Sequence, residues 1–207
     1  KYKRKFMIAI IKYNAGNTCS VQNALNRLGY ENRITDVEEE LLKADKVIFP
    51  GVGEAASAMK MLKSTGLDEV ILTLKQPVLG ICLGMQLMCI SSEEGKTKGL
   101  GIFDAEVKRF SNSVKVPQIG WNQISNLESP LFEKVNEGEY VYLVHSYYVP
   151  ECKDEIARTE YGVNYSTALH RDNFYGVQFH PEKSSKTGEQ ILKNFLKLEL
   201  RNKSDEV

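Results

Sequence analysis

The sequence predicts an α/β fold in three layers: a mostly parallel central sheet, helices on both of its faces, and antiparallel strands added in the C-terminal half. Two observations predict it. In the first half, short apolar runs alternate with helical spacing, which is typical of parallel strands buried on both faces. In the second half, strand-like segments succeed one another with Gly, Asn, Asp and Ser between them, which indicates hairpins.

The first elements follow from apolar runs and their spacing. Phe6–Ile11 is uninterrupted and apolar, and it predicts a buried strand. The spacing of Val21 and Leu25 then predicts a helix that ends at Gly29. A short strand over residues 47–49 leads into Pro50-Gly51-Val52-Gly53, the segment named here the glycine segment.

The next elements repeat this alternation. Ala55–Leu74 has helical character and is broken in two by Gly66. Pro77–Ile81 is another buried apolar strand, and a helix over Met85–Ile90 is predicted directly after it. Because the links between these elements are short, the strands are expected to lie parallel.

The second half is predicted to be rich in strands and to end in a helix. The predicted strands are Ala105–Phe110, Val116–Ser125, Tyr140–Val149, Glu155–Tyr161, Ser166–His170 and Tyr175–Phe179. The closing helix over Gly188–Arg201 places Ile191 and Phe195 on one apolar face. With no repeat or linker in the sequence, we expect one domain over residues 1–207.

Composition excludes several classes of protein. The chain has 207 residues, with 27 basic and 27 acidic side chains, so a single core is expected and a dedicated nucleic-acid binder is not. Phe6–Ile11 is too short for a membrane span, which needs about 18 residues, or for a signal peptide. The four cysteines form no C-x-x-C pair and no metal-binding spacing. We therefore expect free thiols and a cytoplasmic protein.

The sharpest motif is Gly80-Ile81-Cys82-Leu83-Gly84, between a predicted strand and a predicted helix. This is the arrangement of a nucleophile elbow, with Cys in place of Ser, and its glycines let the turn stay tight. The N-terminus of the following helix favours a thiolate, and the N–H of Leu83 can face an oxyanion. A buried cysteine in a glycine-flanked turn is the plainer alternative.

A thiolate nucleophile needs a base that a third group holds in place. His180 ends an apolar strand, and Glu182 follows two residues later. A carboxylate so placed can hold the second imidazole nitrogen and stabilise the imidazolium. Alone, His180 would indicate only a surface histidine; with the elbow, the spacing predicts a triad of Cys82, His180 and Glu182. The acid follows the histidine, which argues against an α/β-hydrolase.

Three segments together resemble class I, triad-type glutamine amidotransferases: Pro50–Gly53, Gly80–Gln86 and Val177–Ser184. The resemblance narrows to the glutaminase subunits of imidazole glycerol phosphate synthase through Tyr13–Asn17, Pro117–Asn122, His145–Tyr147 and His180–Ser184. It covers nearly the whole chain, and Gly120-Trp121-Asn122 is its most discriminating piece. The resemblance implies the flavodoxin-like, three-layer fold of this class.

The resemblance also implies a chemistry. Cys82 would attack the carboxamide of glutamine and form a glutamyl thioester, with His180 as the base. An oxyanion hole is implied at Leu83, Val52 and Gly53, and in the family the Val52 peptide is the switch that completes it. Glutamine contacts are implied at Gly51, Gly53, Gln86, Ser146 and Tyr147. The family needs no cofactor or metal for this reaction.

The implied partner is a (β/α)8-barrel cyclase, in a heterodimer that passes ammonia to histidine biosynthesis. Direct transfer matters because released ammonia is protonated and escapes. The residues implied at the interface are Asn14, Trp121, Asn122 and Lys183. Aromatic side chains are enriched at such binding hot spots, although sheet packing or a solvated lysine explains the same residues.

Three other functions stay open at this point. One is a paralogous glutaminase that supplies ammonia to an aminosugar-modifying synthase. Another is a free-standing γ-glutamyl hydrolase, against which the Gly120-Trp121-Asn122 segment argues. The third is a non-catalytic subunit with a dead site, against which the presence of Cys82, His180 and Glu182 argues.

Overall fold

The fold is built on one large mixed β-sheet in the computed structural model, which describes residues 6–13 and 17–199. Its strands, with those of a small second sheet, are β1 (Ile8–Ile11), β2 (Asn32–Thr35), β3 (Lys46–Gly51), β4 (Val78–Cys82), β5 (Cys89–Ser92), β6 (Thr97–Lys98), β7 (Phe103–Arg109), β8 (Gln118–Gln123), β9 (Tyr140–His145), β10 (Tyr147–Pro150), β11 (Glu155–Glu160), β12 (Asn164–Arg171) and β13 (Phe174–Val177). The helices are α1 (Thr18–Arg27), α2 (Glu38–Lys43), α3 (Ala55–Thr65), α4 (Leu67–Thr73), α5 (Leu83–Leu87) and α6 (Ser185–Lys197).

The order of strands in the large sheet is β2-β1-β3-β4-β13-β12-β10-β7-β5-β6, with β11 paired to β12. The first five of these strands are parallel to one another. From β13 onward the pairs are antiparallel, apart from β7 with β5. Strand β13 therefore joins the parallel half to the antiparallel half. The predicted fold class is confirmed.

Helices cover both faces of the sheet because successive strand residues point to opposite sides. In β1, Ala9 and Ile11 face a core filled by α2, α3, α4 and α5. Ile8 and Ile10 face a second core, filled by α1, α6 and β9. The buried side chains of α1 and α6 follow helical spacing, as the sequence predicts. The break at Gly66 is also confirmed: its φ of 73° ends α3, and α4 begins at Leu67.

Several predicted elements differ from the observed ones by a few residues at their ends, and two differ because the chain changes its pairing within them. The helix predicted to run to Ile90 ends at Leu87, and Ile90 lies in β5. The carbonyl of Met88 instead accepts hydrogen bonds from Ile102 and Phe103, so tertiary pairing ends the helix. The strand predicted over Tyr140–Val149 is interrupted at Ser146. Before the break β9 pairs with β8, and after it β10 pairs with β7 and β12.

Some predictions fall on residues that are not described. Asn14, implied at the interface, lies outside the described residues. The predicted bounds of the closing helix were wrong: α6 begins at Ser185 rather than Gly188 and ends at Lys197 rather than Arg201. The chain leaves the helix at Leu198, whose N–H donates to the carbonyls of Asn194 and Phe195. Within the described ranges, no helix combines the length and apolar character that crossing a membrane requires.

Candidate active site

Cys82 lies where β4 ends and α5 begins, in a strained backbone conformation. Its φ is 52° and its ψ is −110°, a region that L-residues occupy rarely and at a cost of about 1–3 kcal/mol. The turn is also sterically tight at Gly84, two residues after Cys82. A Cβ added at Gly84 would lie 1.9 Å from the carbonyl oxygen of Phe49. The geometry is that of the predicted elbow.

Parallel register brings three predicted segments to one edge of the sheet. Gly51 of β3 is the partner of Cys82 in β4, and Val177 of β13 is the partner of Ile81. The residues that follow each strand therefore leave the sheet side by side. In open α/β sheets, this crevice beyond the carboxyl ends of the strands is where ligands bind.

His180 follows β13 and reaches the crevice beside Cys82. Its Nδ1 lies 2.9 Å from Oε1 of Glu182, and both side chains are at least 95% buried. Its backbone is held on both sides, because its N–H donates to the carbonyl of Tyr142 and its carbonyl accepts from the hydroxyl of Ser184. Among the described residues, the other carboxylate oxygen of Glu182 is buried without a hydrogen-bond partner. The carboxylate thus interacts through one oxygen, with the imidazole.

The protonation of His180 is set by these neighbours. Burial lowers the pKa of His180, but hydrogen bonds to Cys82 and Glu182 outweigh burial and raise the pKa to about 10. At neutral pH the arrangement therefore favours the imidazolium. An imidazolium beside a thiol is the form that stabilises a thiolate.

The glycine segment forms the wall of the crevice opposite His180. Gly51 packs directly on the elbow: a Cβ there would lie 2.8 Å from the backbone nitrogen of Gly84. Gly53 has a φ of 102°, which favours glycine, and open space where a side chain would be. The side chain of Val52 is exposed. The segment is therefore anchored at Gly51 and unconstrained by packing at Gly53.

These walls enclose a pocket of about 350 Å³. It is lined by Val52, Gly53, Cys82, Leu83, Gln86, Glu94, Pro117, Val144, His145, Ser146, Tyr147, His180 and Lys183. Every residue implied for the triad, the oxyanion hole or glutamine binding lines it, apart from Gly51 and Glu182, which lie behind it. Because β9 ends at His145 and β10 begins at Tyr147, the chain passes from the small sheet to the large sheet at Ser146, and all three residues line the pocket.

Gln86, implied as a glutamine contact, lines the pocket, and its hydrogen bonds restrict what it can offer a ligand. Its Nε2 donates to the carbonyl of Tyr147 at 2.9 Å and to Oε1 of Gln178 at 2.8 Å. Both amide hydrogens are therefore engaged within the protein. Any ligand contact of Gln86 falls to its Oε1, which can only accept.

Sequence reasoning missed two polar residues here. Gln178 is buried behind the pocket and contacts Cys82. Glu94 lines the pocket, and its carboxylate accepts a hydrogen bond from the N–H of Ala55. The signal for Gln178 was present, since it is a polar side chain in an otherwise apolar strand. Glu94 had no such signal, because it stands among the exposed charges that follow β5.

The residues predicted for an interface are partly separate from the pocket. Trp121 is 52% exposed on β8 and packs edge-on against Tyr142 of β9. The side chain of Asn122 instead donates to the carbonyl of Glu160 within the chain. Lys183 is exposed at the pocket rim. The structure thus leaves Trp121 and Lys183 available and engages Asn122.

The chain is similar to proteins of one known family. The family model described as glutamine amidotransferase class-I matches residues 9–198. The imidazole glycerol phosphate synthase subunit HisH of Bacteroides thetaiotaomicron is 59% identical over 194 residues, covering 92% of this chain and 99% of that protein. The HisH subunit of Yersinia pseudotuberculosis is 45% identical with the same coverage.

A solved structure with little sequence similarity shares the fold. The crystal structure of a protein assigned as a GMP synthase subunit, from Thermoplasma acidophilum, superposes with a TM-score of 0.74 at 20% identity, covering 94% of each chain. Family model, close relatives and fold therefore lead to one assignment. The chain belongs to the class-I glutamine amidotransferases and, within them, to the HisH family of imidazole glycerol phosphate synthase subunits.

Proposed function

We propose that the chain hydrolyses glutamine to glutamate and ammonia, with Cys82 as nucleophile, His180 as base and Glu182 as the group that orients His180. One observation carries the proposal. The buried imidazole of His180 lies between the strained Cys82 and the carboxylate of Glu182, with a pKa raised to about 10. That combination places an acid, the imidazolium of His180, beside the nucleophile at neutral pH.

In the proposed reaction, Sγ of Cys82 attacks the carboxamide carbon of glutamine. The oxygen of the tetrahedral intermediate accepts hydrogen bonds from the N–H of Leu83 and from the Val52–Gly53 part of the glycine segment. His180 gives its proton to the leaving ammonia, and a thioester remains. Water, with its proton taken by His180, then hydrolyses the thioester, and glutamate leaves. The cycle returns the thiolate and the imidazolium, and it requires no cofactor.

The pocket supports glutamine as the substrate. Gln86 can accept through Oε1, and Gly53, Ser146 and Tyr147 line the same space, with Gly51 behind the lining beside Cys82. The carboxylate of Glu94 adds a negative charge to the lining, which suits the α-ammonium group of an amino acid. An amide side chain directed at Cys82 would place its reacting carbon beside the sulfur.

The close relatives are named as subunits, and we propose a partner for this chain on that basis. The partner is a (β/α)8-barrel cyclase that uses the ammonia to make imidazole glycerol phosphate in histidine biosynthesis. Exposed Trp121 and Lys183 are the contacts proposed on this side, with Asn14 and Asn122. The unconstrained Gly53 supports an oxyanion hole that partner binding completes.

Glutamate release tests both parts of the proposal. The purified chain is assayed alone, with the cyclase from the same source, with the cyclase and its nucleotide ligand, and with an aminosugar-modifying synthase. Little release alone and a large rise with the loaded cyclase would support the coupled enzyme. Full activity alone would indicate a free-standing hydrolase, and an effect only with an aminosugar synthase would indicate the paralogous pathway. No release under any condition would overturn the glutaminase.

A further inference from the structure

Two buried amides form a hydrogen-bonded pair behind the pocket. Gln86 of α5 is 5% exposed, and Gln178, the residue after β13, is fully buried. The backbone N–H of Gln178 donates to the carbonyl of Thr167 at 2.8 Å, which fixes its main chain to β12. The side chains of the pair form a chain of hydrogen bonds from the carbonyl of Tyr147, through Gln86 and Gln178, to the sulfur of Cys82.

The carbonyl of Tyr147 decides how both amides are oriented. A carbonyl oxygen can only accept, so the group of Gln86 that faces it must be the NH₂. The same carbonyl accepts from Nδ1 of His145 at 2.7 Å. With its NH₂ turned to Tyr147, Gln86 gives its second hydrogen to Oε1 of Gln178. Gln178 must then present its own NH₂ on the opposite side.

On that opposite side lies the sulfur of Cys82. Nε2 of Gln178 is 3.6 Å from Sγ, within hydrogen-bond distance for sulfur. The carbonyl of Val144 lies 3.8 Å from the same sulfur and can accept the proton of a neutral thiol. The sulfur thus has an acceptor for its protonated form and a donor for its ionised form. A donor aimed at a charged acceptor is worth more than one aimed at a neutral group.

We infer that Gln178 is a further catalytic residue, which donates a hydrogen bond to the Cys82 thiolate, with Gln86 and the Tyr147 carbonyl as the groups that orient it. The inference deepens the proposed function and rests on it only for the claim that the thiolate attacks glutamine. It assigns the donor beside the sulfur to the side chain of Gln178, in addition to the imidazolium of His180.

Other titratable groups also surround the sulfur. Tyr13, Glu94, His145, Lys183 and His180, with Glu182 behind it, face the elbow or line its pocket. The pKa of Tyr13 lies well above its ordinary value and that of His145 is lowered to about 4, both chiefly by burial. These groups are the same in all variants below, so differences between variants report on position 178.

The test measures how fast iodoacetamide alkylates Cys82 between pH 5 and 10, followed by mass spectrometry of the peptide that contains it. Gln178→Met keeps the length of the side chain and removes the donor. We expect the midpoint of its pH profile about one unit higher, with roughly tenfold slower alkylation at pH values below both midpoints. Gln178→Leu removes the same donor with a different shape and should shift in the same direction. If Gln178→Met does not fold, the result for Gln178→Leu alone tests the inference.

The matched control is Gln118→Met. Gln118 is similarly buried and accepts a hydrogen bond from the hydroxyl of Tyr165, but it has no hydrogen bond to Cys82. Its alkylation midpoint should equal that of the unmodified chain. An unchanged midpoint in folded Gln178 variants, or an equal shift in the control, would overturn the inference.

Glutamate release by the unmodified chain with its loaded partner is measured in parallel. If release is absent while the Gln178 variants shift the alkylation profile, the proposed glutaminase falls and the hydrogen bond to the sulfur stands. If release is present and the midpoint does not move, the glutaminase stands and Gln178 has no part in stabilising the thiolate.

Discussion

The hydroxyl of Tyr13 donates a 2.8 Å hydrogen bond to the carbonyl oxygen of Pro50. The bond ties the chain beyond β1 to the start of the glycine segment, and it is buried. The pKa of Tyr13 is raised by burial and further by the charge of Cys82, so the phenol stays protonated and remains a donor. Its ring also packs against Phe49, with the centroids 5.3 Å apart.

Removing that hydroxyl tests the importance of the bond. Tyr13→Phe keeps the ring and leaves the Pro50 carbonyl buried without its donor, so we expect a loss of about 1–3 kcal/mol in the free energy of unfolding. Urea denaturation measures it. The control is Tyr161→Phe, which removes a 2.8 Å bond to the carbonyl of Lys115 at an exposed site and should cost less. Equal losses in the two variants would contradict this account.

The strained backbone at Cys82 predicts an order of stability among inactive variants. Alanine at this position keeps the strain of a φ of 52°, whereas glycine relieves it. We expect Cys82→Gly to be more stable than Cys82→Ala by about 1 kcal/mol, after allowance for the extra flexibility of glycine in the unfolded chain. Thermal or urea unfolding gives the order. Neither variant should release glutamate; turnover in either would remove Cys82 as the nucleophile.

Glu182→Gln is expected to slow glutamate release by up to ~10⁴-fold, the effect of the corresponding change in Ser-His-Asp enzymes. The amide cannot stabilise the imidazolium, and it can present its NH₂ to Nδ1 in place of an acceptor. Initial rates at saturating glutamine with the loaded partner measure the effect. A rate equal to that of the unmodified chain would mean that another group orients His180.

The interaction of His180 with Glu182 also predicts how the free energy of unfolding depends on pH. The pKa of His180 is raised from an ordinary 6.5 to about 10, so the folded chain keeps a proton that the unfolded chain releases within this range. The stabilisation is complete below pH 6.5 and is lost as the pH rises towards 10. Glu182→Gln should reduce it, so the stability difference from the unmodified chain should be larger at pH 6 than at pH 10. Urea unfolding at both values checks the sign, and a larger difference at pH 10 would contradict it.

We expect Trp121 to contribute to binding of the cyclase and little to the free energy of unfolding. Because the side chain is 52% exposed, Trp121→Ala should change the free energy of unfolding by about 1 kcal/mol or less, yet weaken binding of the cyclase at least tenfold. Isothermal titration calorimetry gives the affinity. The control is Leu72→Ala, which removes a similarly exposed apolar side chain on α4, across the sheet. If both variants bind as the unmodified chain does, Trp121 is not at the interface.

The sequence was most informative where local pattern and tertiary structure agree. Uninterrupted apolar runs identified β1, β3 and β4, because strands buried on both faces are almost entirely apolar. The turn at Cys82 was visible because Gly80 and Gly84 are steric requirements of a local geometry. His180 and Glu182 were visible because they are two residues apart, within reach of one another along the chain.

What could not be predicted depends on partners distant in sequence. The residues just after Leu87 are apolar, so nothing local indicates that β5 leaves the helix to pair with β7. The break at Ser146 arises because β9 and β10 pair in different sheets. Gln178 stands out as a polar residue, but its partner Gln86 lies 92 residues away, and no spacing rule connects the two.

The place of β13 in the sheet has a consequence for biosynthesis on the ribosome. This strand is made after every other described strand, yet it lies between β4 and β12 and brings His180 to Cys82. A nascent chain without it has two open strand edges where the sheet should be continuous. At about 5–20 residues per second, the edge of β4 stays open for seconds after that strand emerges, because β13 is made much later. The protein therefore acquires its reactive centre and closes the open edge of β4 in the same step.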